Sequence, residues 1–115
     1  PAQDWLTEKI RQGQIIFWEF QATPVAMAGC LFQSRNGGSI GYVYTPPEQR
    51  GHGYGGAATA AVAERFLSRE NGVAWLYVDK KNTVAQRCYT KIGFKAVCGS
   101  GKYQRNTKGS STESE

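Results

Sequence analysis

The sequence predicts a mixed α/β fold in which helices pack on a single sheet. Two patterns carry this. Three strand-like segments joined by turn residues come first, and a helix–strand–helix–strand alternation follows a glycine-rich stretch. Together they predict an antiparallel meander followed by a βαβ-type unit.

Residues 4–12 favour a short helix, with Asp4 as N-cap, Gly13 as stop and Trp5, Leu6 and Ile10 on or near one face. Residues 14–20, rich in Ile, Phe and Trp, read as a strand. Ala22, Thr23 and Pro24 make a turn, and residues 25–33 a second strand. Asn36-Gly37-Gly38 signals a hairpin, after which residues 39–45 form the third strand. Pro46 and Pro47 end that strand, because proline cannot donate to a ladder. Residues 57–69 form an Ala-rich helix in which Ala58, Val62, Phe66 and Leu67 recur near helical spacing. Asn71-Gly72 terminates it. Residues 73–78 are almost wholly apolar, which predicts a strand covered on both faces. Asn82 can cap a second helix, with Ala85, Cys88, Tyr89 and Ile92 at i, i+3, i+4 and i+7 and Gly93 at its end. Residues 94–98 form a final strand, and residues 102–105 can pair beyond it. One domain over residues 1–105 and a frayed polar tail over 106–115 are expected.

Bulk properties narrow the function. The chain has 115 residues, 40% hydrophobic and 20% charged, as in an ordinary globular domain. No apolar run approaches the roughly 18 residues that span a bilayer. Pro1 to Trp5 lacks a basic region followed by an apolar stretch, so no signal peptide is expected. Without an initiator Met, the chain is either processed or part of something longer. Cys30, Cys88 and Cys98 are odd in number and form no C-x-x-C pair, which disfavours a disulfide framework and a zinc site. A reduced, cytoplasmic protein with no metal is expected. His52 is the single histidine, which excludes a His-rich metal site. The net charge of +5 favours anionic partners, but the cations are scattered, so nucleic-acid binding is not expected.

The segment Arg50-Gly51-His52-Gly53-Tyr54-Gly55-Gly56 lies between a strand and a helix start. A helix start has unpaired N–H groups and the positive end of the dipole. Glycines let backbone approach a ligand. These features describe a pyrophosphate cradle, to which Arg50 and His52 could add charge or hydrogen bonds. A P-loop is ruled out because Ala57-Ala58, not Lys-Ser/Thr, follow the last glycine. Gly51, Gly53 and Gly56 match G-x-G-x-x-G, but too few βα units follow for a dinucleotide fold. A tight turn without a ligand is the remaining alternative.

With these residues in place, the sequence resembles the GNAT superfamily of N-acetyltransferases. Its cofactor motif, Gln/Arg-x-x-Gly-x-Gly/Ala, is met by Arg50, Gly53 and Gly55, with Pro47 at the family's usual upstream position. A second family motif is met by Asn82, Ala85, Tyr89, Gly93 and Phe94. The resemblance covers residues 25–105 and implies an acyl-CoA N-acyltransferase fold with acetyl-CoA as cosubstrate. It implies that the third strand splays from the strand at 73–78 and that the pantetheine arm enters the gap, bonding to backbone groups of Val43 and Thr45. Backbone N–H groups from Gly51 to Gly56, a span that includes His52 and Tyr54, would hold the pyrophosphate, and Asn82 would contact the cofactor.

The implied reaction is direct attack of a neutral amine on the thioester in a ternary complex. A backbone N–H near Val43 would stabilise the oxyanion and Tyr89 would protonate the leaving thiolate. Tyr89 taken alone reads as a core tyrosine at helical spacing. Glu19, Glu48 and Asp79 are candidate bases, as is a water relay, and Cys88 reads as packing. Partners would be a small-molecule or peptide amine, with a homodimer through an edge strand near Cys98 also possible. The chain departs from the family in its reduced N-terminal part, where the acceptor pocket is usually built, and in Tyr54, which stands at a position more often aliphatic. An acyl-CoA-binding module without its own catalysis is therefore the alternative function.

Overall fold

The computed structural model describes residues 12–97 and 101–107. The helix expected at 4–12, Cys98 and the tail from residue 108 lie outside these. Strands β1 (Ile15–Phe20), β2 (Thr23–Gln33) and β3 (Gly37–Tyr44) form the expected antiparallel meander. A 3-10 turn at Pro47–Gln49 leads into helix α1 (Tyr54–Leu67). Strand β4 (Val73–Tyr77), helix α2 (Thr83–Lys91) and strands β5 (Lys95–Val97) and β6 (Lys102–Asn106) complete the order. The six strands make one mixed sheet ordered β1-β2-β3-β4-β6-β5.

One face of the sheet carries the core. Ala26, Ala28 and Cys30 of β2, Ile40 of β3, and Ala74 and Leu76 of β4 pack against Ala58, Val62, Ala63, Phe66 and Leu67 of α1. Phe94 is fully buried among them, and Ala85 and Tyr89 of α2, with Ile92 at its C-cap, pack on the same cluster. Short side chains where α1 crosses let it lie close to the strands, as the Ala-rich sequence predicts.

Four expectations are corrected. β4 alternates buried Ala74 and Leu76 with outward Trp75 and Tyr77, and Tyr77 is 65% exposed, so the strand is covered on one face only. Its outward Trp75 instead meets Phe32 at 6.4 Å and the Lys102 ammonium at 5.4 Å. Next, β6 does not extend the sheet beyond β5. It folds back between β4 and β5, pairing with both, so the sheet edge is the three-residue β5. Strand β6 and the residue after it also carry the domain past 105, because Asn106 pairs with Val73 and the Thr107 amide donates to the Gly72 carbonyl at 2.8 Å. Finally, α1 begins three residues earlier than predicted, at Tyr54, so Gly55 and Gly56 are helical and not part of a turn.

The feature that shapes the site is the brief contact of β3 with β4. They pair in parallel only at Gly37, Gly38 and Ser39, opposite Val73, Ala74 and Trp75. Beyond that, Tyr42 takes φ 55 where the β2–β3 register slips between Met27 and Gly29. A bulge of this kind bends and twists its strand, and the two strand ends diverge.

Candidate active site

A cleft of about 1120 Å³ opens where β3 leaves β4. Its walls are the end of β3, the start of α1 and helix α2. Val43 and Thr45 line it from the strand side, and Arg50, Gly51, Gly53, Tyr54, Gly55 and Gly56 from the turn and first helical turn. Asn82 and Tyr89 line it from α2. Every predicted site residue but one therefore meets in one place. The exception is His52, which is absent from the lining; its ring stacks on Tyr54 at 5.3 Å with Nδ1 3.2 Å from the Gln49 carbonyl.

The four glycines do two different jobs. Gly51 and Gly53 take φ of +88 and +81, and a Cβ built on either would meet nothing within 4 Å. Here glycine supplies the left-handed backbone and leaves open space on the cleft side. Gly55 and Gly56 are helical and crowded: a Cβ would lie 3.1 Å from the Thr45 hydroxyl oxygen and 2.8 Å from the Cys88 sulfur, respectively. They let α1 approach both β3 and α2.

Gly53 is the N-cap of helix α1, which has no side-chain cap and no acidic residue in its first turn. Its first N–H groups have no intrahelical partner. By contrast, Asn82 caps α2, its Oδ1 accepting from the Ala85 amide at 3.0 Å. The Asn82 Nδ2 group retains its donors for a second partner. Arg50, Arg87 and Lys91 are the cations on the cleft wall, and no carboxylate lines it among the described residues. The Arg50 Nε donates to the Thr45 carbonyl at 2.8 Å and its guanidinium lies 5.9 Å over Tyr44, so the arginine is tied to the strand end. An uncapped helix start facing a cation-rimmed, carboxylate-free cleft favours a polyanion.

Tyr89 packs edge-on against Phe94 at 6.3 Å. Burial pushes its phenol above the ordinary value of 10.0; the neighbouring Cys88 adds to the rise, and a hydrogen bond with the Thr59 side chain opposes it. The phenol is therefore protonated at neutral pH, the state needed in a proton donor. Cys88 also lines the cleft, which its helical azimuth did not suggest, and it packs its sulfur against the Gly56 backbone. Burial raises its thiol as well, with Lys91 opposing. A protonated thiol is a poor nucleophile. Of the candidate bases, Glu19, Glu48 and Asp79 are all absent from the cleft lining. Asp79 instead accepts from the Lys81 amide at 2.9 Å. Sequence reasoning missed Tyr44, Gln49 and Tyr103 as wall residues. Tyr103 comes from β6, whose return beside β4 no local pattern reveals.

The model of the acetyltransferase (GNAT) family matches residues 1–94. The chain belongs to this family. The match starts well before residue 25 and stops at Phe94, ahead of β5. Solved structures agree on the fold. A GNAT-family acetyltransferase from Novosphingobium aromaticivorans superposes with TM-score 0.67 at 27% identity, over 84% of this chain and 42% of that one. The ribosomal-protein-alanine N-acetyltransferase of Brucella melitensis gives TM-score 0.68 at 18% identity, over 91% of this chain and 76% of that one. In sequence, the mycothiol acetyltransferase of Thermobispora bispora is 45% identical over 60 residues. Those residues are 50% of this chain and 20% of that protein. This GNAT chain thus spans 20% and 42% of the length of two of these relatives. Among its described residues no helix is long and apolar enough to cross a membrane.

Proposed function

We propose that this GNAT chain holds acetyl-CoA in the cleft between α1 and α2 and passes the acetyl group to a primary amine. The observation that carries the reading is the uncapped start of α1, opening beside Gly51 and Gly53 onto space that no side chain fills. The free N–H groups there suit a pyrophosphate, and Arg50, Arg87 and Lys91 suit the remaining anionic charge. The diverging end of β3 offers backbone groups of Val43 and Thr45 to an extended arm. When bound, the thioester supplies an activated acetyl group. Tyr89 lines the cleft with its phenol held protonated, which supports reading it as the group that would give a proton to a departing thiolate. The backbone N–H near Val43 is the donor suited to the developing oxyanion.

The experiment is a calorimetric titration with acetyl-CoA, beside a Gly53→Glu variant. That substitution sets a carboxylate where the phosphates are placed. Wild-type binding that vanishes in a folded variant supports the site; equal binding by both sinks it. Acetyl-CoA consumption with a panel of small amines, amino acids and peptides then tests transfer.

A second reading is favoured by the chain's 20% and 42% coverage of two relatives. In it the domain binds acyl-CoA and another segment or subunit supplies the acceptor site. Binding without turnover on any amine would select it.

A further inference from the structure

A second cavity, of about 200 Å³, lies at the far end of α1 from the cleft. The helix has 14 residues, which at 1.5 Å per residue puts the two sites roughly 20 Å apart. The floor of this cavity is the buried Val62 and Phe66, and its walls include Gln14, Gln33, Arg65 and Arg69. No carboxylate lines it among the described residues.

Arg65 and Arg69 are one turn apart, so both guanidiniums sit on one side of the helix. Each is tied to a neutral acceptor outside α1. Arg65 Nη1 donates to the Gly13 carbonyl. Arg69 donates through Nη1 to the Ser34 carbonyl at 3.4 Å and through Nη2 to Gln33 Oε1 at 2.9 Å, and it lies 5.3 Å over the Phe66 ring. These ties fix the side chains before any ligand arrives, which lowers the ordering cost of binding. A guanidinium has five N–H donors, so most of each fork remains for a ligand. Gln33 adds its Nε2 donors, since Oε1 is the atom that faces Arg69.

The charge here is unbalanced. Like charges at i, i+4 repel, and neither arginine forms an ion pair among the described residues. The negative end of the α1 dipole offsets only about half a charge. Of the two positive charges roughly one and a half therefore remain, beside an apolar floor that strengthens their attraction for an anion. A phosphate group carries about −1.5 to −2 at neutral pH and offers several oxygens to forked donors.

We propose that this cavity binds a phosphate group, as inorganic phosphate or as a small phosphate monoester. The site is independent of the cleft and of whatever the cleft holds. Calorimetric titration with sodium phosphate tests it, against sodium chloride at matched ionic strength, in the wild type, Gly53→Glu, Arg65→Gln and Arg69→Gln. Phosphate binding should survive in Gly53→Glu and weaken about tenfold or more in each arginine variant, the scale of one hydrogen bond between charged groups. Phenyl phosphate separates the two sources. Binding at least as tight as that of phosphate makes the ligand a monoester, and weaker binding makes it the free ion. A wild type that does not bind, or that responds equally to chloride, overturns the proposal. So does binding that is lost in Gly53→Glu and kept in both arginine variants, which moves the phosphate to the cleft. A nitrogen-15 NMR titration of the wild type needs no variant: the Nε–H signals of Arg65 and Arg69 must shift with phosphate, and shifts confined to the amides of residues 53–56 refute the site.

Discussion

Replacing Gly53 with alanine separates a ligand cradle from a turn. The residue sits at φ 81, ψ 11, a left-handed conformation that costs an L-residue about 1–2 kcal/mol. The new methyl meets nothing within 4 Å, so no steric cost adds to this. For a domain of this size, 1 kcal/mol corresponds to roughly 4–8 °C in Tm. Gly53→Ala should therefore fold, with a urea-derived stability lower by about 1–2 kcal/mol. If phosphates occupy the open side of the turn, the methyl intrudes on them. Overpacking of that kind costs about 1–3 kcal/mol, which at 1.4 kcal/mol per decade is roughly a 5- to 150-fold loss of affinity. Calorimetry with acetyl-CoA, below the variant's melting range, reads it directly. Wild-type affinity in a folded Gly53→Ala protein would refute the placement of the phosphates. A collapse of stability far beyond 2 kcal/mol would refute the claim that the space is empty.

Other outcomes follow from the same geometry. Gly56→Ala drives a methyl to 2.8 Å from the Cys88 sulfur and should cost about 1–3 kcal/mol; adding Cys88→Ala should restore most of it in thermal melts. Asn82→Ala removes the α2 cap and should lower stability by about 1 kcal/mol in urea. The Cys88 thiol and Tyr89 phenol are both raised in the folded chain, so the unfolded chain ionises first. Their stabilising contribution is whole below the ordinary thiol value of 9.0 and fades as pH rises through the folded values. Melts from pH 8 upward should show Cys88→Ala declining less steeply than wild type.

Much of this was readable from residue order. The meander, the glycine-rich turn and the Asn82 cap each rest on local chemistry, and local chemistry survives folding. Both motifs also ended on one cleft, because a helix and a strand of ordinary length separate them. What failed was non-local. Gly55 and Gly56 look like turn residues in sequence, and only the proximity of Thr45 and Cys88 shows that they are contact points in a helix. Residues 73–78 look doubly buried, because Trp75 and Tyr77 are apolar by composition, yet they face outward. The return of β6 between β4 and β5 depends on long-range pairing that no short pattern encodes.

Helix α2 forms one whole wall of the cleft, yet contributes no fully buried residue. Its ties are the partly buried Ala85 and Tyr89 against the core, the Tyr89–Phe94 contact, the sulfur of Cys88 against α1, and Gln86 donating to the carbonyls of Asp79 and Lys80. So light an attachment makes this helix a low-cost opening unit, whose amides exchange with solvent sooner than those of α1. Whatever occupies the cleft must first find the wall in place, and apparent affinity falls with the fraction of time it is absent. Substitutions on the outer surface of α2 that merely favour its docked state would then tighten binding without touching the ligand.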